Sequence, residues 1–178
     1  MPSHQDASNI IGLGLYEAVS QLFPDLKDDA IYDFARSYSS HFKEQDNTPC
    51  EFFPGVEETL VELRDDGFLL TIATGKSRAG LDRVLAAKGM DLFFDGSRCA
   101  DETLSKPDPL MLHQLLDEFS VSANEALMVG DTEFDLNMAL RAGVPAIGVT
   151  YGAHSAARLM ACSPLKCVDT FYEIKKYI

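Results

Sequence analysis

The stretch EALMVGDTEFDLNMALRAG, residues 125–143, decides the fold. It opens on an apolar run, Ala126 to Val129, of the kind that buries a strand. It turns through Gly130 and places Asp131 and Asp135 four residues apart at the head of a helical pattern that Gly143 stops. Two carboxylates at the end of a buried strand have two ordinary explanations. They cap a helix, whose N-terminus favours negative charge. Or they hold a cation, and carboxylate oxygens suit Mg²⁺, which takes few protein ligands and keeps its waters. Spacing alone leaves both open.

Outward from this stretch the same alternation recurs. FLLTIAT (68–74) reads as a continuous apolar strand, SRAGLDRVLAAKG (77–89) as a helix, and DLFFDGSRCA (91–100) holds a short strand. PDPLMLHQLLDEF (107–119) is a helix starting after Pro107, and PAIGVT (145–150) a strand, with two short helical patterns closing the chain. Apolar strands alternating with helices predict a mostly parallel sheet covered on both faces.

The first fifty residues differ in kind. LYEAVSQLF repeats apolar positions at Leu15, Val19, Leu22 and Phe23. DDAIYDFARSYSSHF does the same at Ile31, Phe34, Tyr38 and Phe42, with Pro24 breaking between the two. FFPGVEETLVELRDDG then predicts a turn at Pro54-Gly55 and a helix from Val56 to about Asp65, stopped by Gly67. The expected division is therefore a helical piece, 1–50, and an α/β piece, 51–178.

In such sheets a ligand sits beyond the carboxyl ends of the strands. That rule selects Thr74 and Gly75, the loop DETLSKPDP (101–109) with Lys106, and Asp131. A threonine hydroxyl beside a glycine could donate to a phosphoryl oxygen, and equally could belong to a plain turn. An ammonium at Lys106 would neutralise a phosphate if aimed at that edge, but could as well be solvated. ATGKS is not a P-loop, because Leu70 stands where the first glycine must be. GLGLYE (12–17) lacks the third glycine and the preceding strand of a dinucleotide fingerprint, and reads as chance.

Composition narrows the class. The chain has 178 residues, 46% hydrophobic and 24% charged, as in an ordinary globular chain. No apolar stretch is long enough to span a bilayer. The N-terminal residues lack a basic start followed by an apolar core, so no secretory signal is expected. A net charge of −13 argues against a nucleic-acid partner. Cys50, Cys99, Cys162 and Cys167 form no C-x-x-C and read as reduced thiols of a cytoplasmic protein, with Cys50 and Cys99 at element ends. The histidines, His4, His41, His113 and His154, show no zinc-ligand spacing.

Taken in order, TIATGKS, SKPDP and GDTEFD resemble the second, third and fourth motifs of the haloacid dehalogenase-like phosphatases, and most closely the phosphoglycolate phosphatase subgroup. The resemblance covers essentially the whole chain. It implies a Rossmann-like parallel sheet with residues 1–50 as a small α-helical cap. It implies a Mg²⁺-dependent phosphomonoester hydrolase acting on a small phosphorylated metabolite such as phosphoglycolate. Thr74 and Gly75 match the phosphate-binding motif. Lys106 matches the catalytic lysine that neutralises the phosphoryl group. Asp131 matches the catalytic metal ligand, and Asp135 the second acid of the metal motif. The logic is that of phosphoryl transfer, with in-line positioning and neutralised equatorial charge. On this reading the metal outweighs the cap as the reason for the two acids.

One part of the family pattern is missing. Members open on a strand ending in D-x-D-x-T, whose first Asp is the nucleophile and whose second is the general acid and base. No D-x-D occurs in these 178 residues. The resemblance implies that about 20–30 residues, one strand, a loop and most of a helix, are absent. That strand would lie centrally, between 68–74 and 126–131. Its loss would expose two strand edges, each buried unpaired amide costing about 1–3 kcal/mol. Against a domain stability of about 5–15 kcal/mol, the expectation is a chain poorly stable or rearranged, and inactive by the family mechanism. Three explanations follow: a shortened version of a full-length phosphatase, a non-enzymatic module binding phosphate, metal or protein, or a strand supplied by another chain. Self-association through the exposed edges is also expected. Mutase-like phosphoryl transfer on the same core is an alternative, and no cap lysine is placed for Schiff-base chemistry.

Overall fold

The computed structural model describes residues 2–45 and 51–178. Helices α1 (His4–Asn9), α2 (Leu15–Leu22) and α3 (Asp28–Gln45) form the first piece. Ser3 and Asp6 close a capping box on α1, satisfying two backbone donors of the first turn. Helices α2 and α3 pack through Tyr16 on Tyr32 and Phe23 on Phe34. The stripe expected on α3 is only partly covered. Ile31 is 3% exposed, but Phe34, Tyr38 and Phe42 are 44%, 49% and 40% exposed. A helical period locates an apolar face without supplying its partner.

The second piece runs α4 (Val56–Asp65), β1 (Thr71–Thr74), α5 (Arg78–Lys88), β2 (Gly96–Cys99), α6 (Leu110–Phe119), β3 (Met128–Gly130), α7 (Glu133–Ala142), β4 (Ala146–Val149), α8 (Ala156–Met160) and β5 (Lys166–Val168), closing on a 3₁₀ turn, Phe171–Lys176. Helix α4 has the expected bounds. The strand read over 68–74 forms its ladder only at Thr71–Thr74. Phe68 N–H still donates to Leu63 O of α4, and Leu70 N–H donates to the Asp95 carboxylate, so the chain is leaving one helix where the pattern already looks like strand. β5 falls between the two closing helical patterns. Three residues carry too little periodicity to show it.

All pairings are parallel. β1 pairs β2 with Thr74 opposite Cys99, and β3–β4–β5 form a second ladder with Gly130 opposite Gly148. β4 is buried along its whole length, as a strand covered on both faces must be. On one face Met111, Leu112, Leu136, Met138 and Leu159 bring in α6, α7 and α8. On the other, Leu63 and Ile174 bring in α4 and the closing 3₁₀ turn.

Among the described residues no strand lies between β1 and β3. Their facing edges border a cavity of about 860 Å³, lined by Ile72 and Ala73 of β1, Met128 and Val129 of β3, and Leu115 and Phe171 above and below. The sheet expected as one is therefore in two parts among the described residues, β1–β2 and β3–β4–β5. The carboxyl ends of β1, β2, β3 and β4 still open onto one edge. No helix among the described residues is long and apolar enough to cross a membrane.

Candidate active site

The β3–α7 turn is built by its own sequence. Thr132 is the N-cap of α7, and its Oγ1 accepts from Asp135 N–H at 3.3 Å. Asp135 Oδ2 accepts in return from Thr132 N–H at 3.1 Å and from Thr132 Oγ1–H at 2.7 Å. This is a capping box with Asp at its third position. The capping explanation therefore describes Asp135 well. The same carboxylate does a second job. Its Oδ1 receives Lys106 Nζ at 2.5 Å, both side chains being 6% exposed. Lys106 is thus buried and paired rather than solvated. Each oxygen of Asp135 thus has a partner within the protein.

Asp131 stands differently. It is half-buried, outside the capping box, at the exit of β3. Its Oδ2 accepts from Ala153 N–H at 2.8 Å and its backbone oxygen from His154 N–H at 3.1 Å. Among the described residues Oδ1 has no hydrogen-bond partner. A carboxylate oriented through one oxygen with the other open fits a hard divalent cation. No group of three or more His, Cys, Asp or Glu is gathered at one point among the described residues. A cation here would therefore rely on Asp131, backbone oxygens, water and its anionic ligand.

Thr74 ends β1, and its Oγ1 accepts from Lys76 N–H at 3.1 Å, leaving the hydroxyl proton free to donate outward. Gly75 needs to be glycine. A β-carbon there would lie 2.5 Å from Leu13 O and 2.6 Å from Gly12 O. These contacts identify a part of the site that the sequence reading dismissed, GLG at 12–14. Gly12 packs against the Thr132 side chain, the Gly12 and Leu13 carbonyls pack on Gly75, and Gly14 N–H donates to Ser105 Oγ at 2.8 Å. One three-residue turn touches the ends of all three motif segments. Thr74–Gly75, Ser105–Lys106 and Asp131–Asp135 therefore converge as expected.

Two ion pairs frame the edge. Arg78 grips Glu102 in a two-pronged bond, 2.8 Å at each prong, and its N–H donates to Asp101, fixing the 101–109 loop on α5. That guanidinium holds the Glu102 carboxyl down at about 2. Arg158 makes the same fork on Glu133 and reaches Asn9 Oδ1 at 2.8 Å, tying the end of α1 to the β3–α7 turn. Burial pushes the Tyr151 phenol up to about 12, with the Asp131 charge adding to it. Cys99, at the end of β2, is fully buried, and burial raises its thiol to about 11. Cys50 lies outside the described residues. Cys99, Cys162 and Cys167 are free thiols.

Known proteins resemble this chain in sequence and in fold. The chain is 38% identical over 168 residues to "Probable phosphatase IndB" of Dickeya dadantii, an alignment covering 92% of this chain and 73% of that protein. It is 27% identical over 173 residues to a phosphoglycolate phosphatase of Vibrio parahaemolyticus, covering 97% of this chain and 75% of that one. A solved structure from Bacteroides fragilis, ascribed to the haloacid dehalogenase-like hydrolases, superposes with a TM-score of 0.90 at 27% identity, over 97% of this chain and 83% of that one. The family model for haloacid dehalogenase-like hydrolases matches residues 1–149, and the chain belongs to that family.

Proposed function

We propose that this edge binds the phosphoryl group of a small phosphomonoester beside one Mg²⁺, as in a haloacid dehalogenase-type phosphatase. The carrying observation is that Gly12–Gly14 lies in contact with Gly75, Ser105 and Thr132 together, so the three motif ends share one small volume. Thr74 donates its hydroxyl proton to a phosphoryl oxygen, and Gly75 lets the backbone come close. Lys106, as catalytic lysine, neutralises charge on the phosphoryl group. Asp135 holds Lys106 in place and closes the α7 cap, so its part in the metal site is indirect. Asp131 presents the oxygen that binds the metal. When bound, Mg²⁺ supplies charge neutralisation of the phosphoryl oxygens.

Phosphoglycolate phosphatases among the relatives support a small, acidic phosphorylated metabolite as substrate. The family's nucleophile belongs to a D-x-D pair, which these residues lack. The 178 residues therefore bind phosphate and metal without turning over, until an aspartate is brought beside Thr74 at the end of the cavity between β1 and β3. The test measures Mg²⁺-dependent phosphate release from phosphoglycolate and p-nitrophenyl phosphate, together with thermal stabilisation by Mg²⁺ and inorganic phosphate. Stabilisation without release is expected, lost in Lys106→Ala and Asp131→Asn. Release by the 178 residues would remove the D-x-D requirement. Absence of any stabilisation would overturn the site.

A further inference from the structure

The β4–α8 loop wraps Asp131 with contacts that nothing in the motif set requires. Ala153 N–H takes the side-chain Oδ2 at 2.8 Å, while His154 N–H takes the backbone oxygen of the same residue at 3.1 Å. Asp131 is thereby held through both its carboxylate and its backbone oxygen. Gly152 lies so close that a β-carbon there would collide with Asp131 Cβ, Cγ and Oδ2. The obstacle is not the far end of a long side chain but a short carboxylate already hydrogen-bonded in place.

The imidazole of His154 completes the wrap. It is 3% exposed and packed edge-on to Phe134. Its Nδ1 accepts from Glu133 N–H at 3.0 Å. Glu133 is the first residue of α7, and a helix's first N–H groups have no partner within the helix. His154 supplies one. With Nδ1 accepting, the ring proton sits on the buried Nε2. Through Nδ1 the ring fixes the peptide two residues beyond Asp131.

We propose that Gly152 and His154 are positioning residues for the Asp131 carboxylate, locking Oδ2 inward so that Oδ1 alone faces a cation. The loop YGAH, 151–154, is thus a further element of the site beside the three motifs. Outer contacts of this kind tune metal affinity by about 10–100-fold when removed. The proposal rests on Asp131 being the metal ligand, and the experiment separates the two.

Mg²⁺ affinity is measured by calorimetric titration and by the Mg²⁺-induced thermal shift, neither of which needs turnover. Asp131→Asn is the reference, and its loss of binding supports the ligand assignment itself. Gly152→Ala is expected to weaken Mg²⁺ binding by at least about tenfold. His154→Leu, which removes the acceptor, is expected to weaken it comparably. His154→Asn, whose Oδ1 stands near the place of Nδ1, is expected to recover most of the affinity. If Gly152→Ala fails to fold, the His154→Leu and His154→Asn pair carries the test. Wild-type affinity in Gly152→Ala or His154→Leu, with Asp131→Asn silent, overturns the positioning role. Equal weakening in His154→Leu and His154→Asn overturns the part assigned to Nδ1. Unchanged binding in Asp131→Asn overturns the ligand assignment, and this proposal with it.

Discussion

Lys106 Nζ sits 2.5 Å from Asp135 Oδ1, inside the protein, with 6% of either side chain exposed. The pair joins the β2–α6 loop to the first turn of α7. Removing one partner leaves the other charge buried and uncompensated, which typically costs about 3–5 kcal/mol. Asp135 also loses its part in the capping box, worth about 1 kcal/mol more. Urea unfolding of Asp135→Ala is expected to show a loss of that order. Lys106→Met, which removes the charge but keeps the stem, is expected to lose less. In the double variant the penalties do not add, because no charge is left unpaired. Additive losses would mean that the two groups do not interact in solution.

Gly75 and the carbonyls of Gly12 and Leu13 meet too closely for any side chain between them. Gly75→Ala is expected to push the 10–14 segment off the edge while the sheet behind it stays intact. Limited proteolysis should then cut within residues 9–14 faster than in the unaltered protein, with little change in far-ultraviolet circular dichroism. Unchanged cutting would show that this segment does not rest on Gly75.

Arg78 depresses the Glu102 carboxyl to about 2, below its ordinary value of 4.5. A carboxyl with a lowered folded-state value binds its proton more weakly folded than unfolded. Its contribution is therefore complete above pH 4.5, and is lost as pH falls from there toward about 2. Because Glu102 is partly exposed, solvent screening keeps the effect modest. Glu102→Gln is expected to flatten the stability–pH curve across that window and to lower stability by a constant, modest amount above it. An identical acid slope in Glu102→Gln would mean the ion pair does not form.

The parts legible from sequence were those written into one segment. Helices α4 and α7 show apolar positions at helical spacing between glycine stops, and their limits were readable nearly to the residue. The motif ends Thr74, Lys106 and Asp131 were also readable, because strand-end chemistry follows from topology. Contacts made at a distance were not readable. The turn Gly12–Gly14 gains its role only from neighbours in three other segments. His154 Nδ1 meets a backbone N–H of Glu133 that no pattern in its own loop announces. Asp135 also caps α7 and pairs with Lys106, two contacts that its spacing from Asp131 does not announce.

The edges of β1 and β3 that face the cavity between them lead to the last expectation. β4 is hydrogen-bonded on both sides, to β3 and to β5, and is buried throughout. β1 and β3 each have one paired edge and one that borders a cavity of about 860 Å³. Local opening governs amide exchange, and strands with one free edge open more cheaply than strands paired on both. Amides of Thr71–Thr74 and Met128–Gly130 are therefore expected to exchange faster than those of Ala146–Val149. An environment-sensitive apolar dye such as anilinonaphthalene sulfonate should bind, since Ile72, Met128 and Leu115 line the space. An extended peptide that fills it should slow exchange in β1 and β3 together and displace the dye. Uniform protection across β1, β3 and β4, with no dye bound, would mean that the gap closes in solution and the two parts of the sheet pair directly.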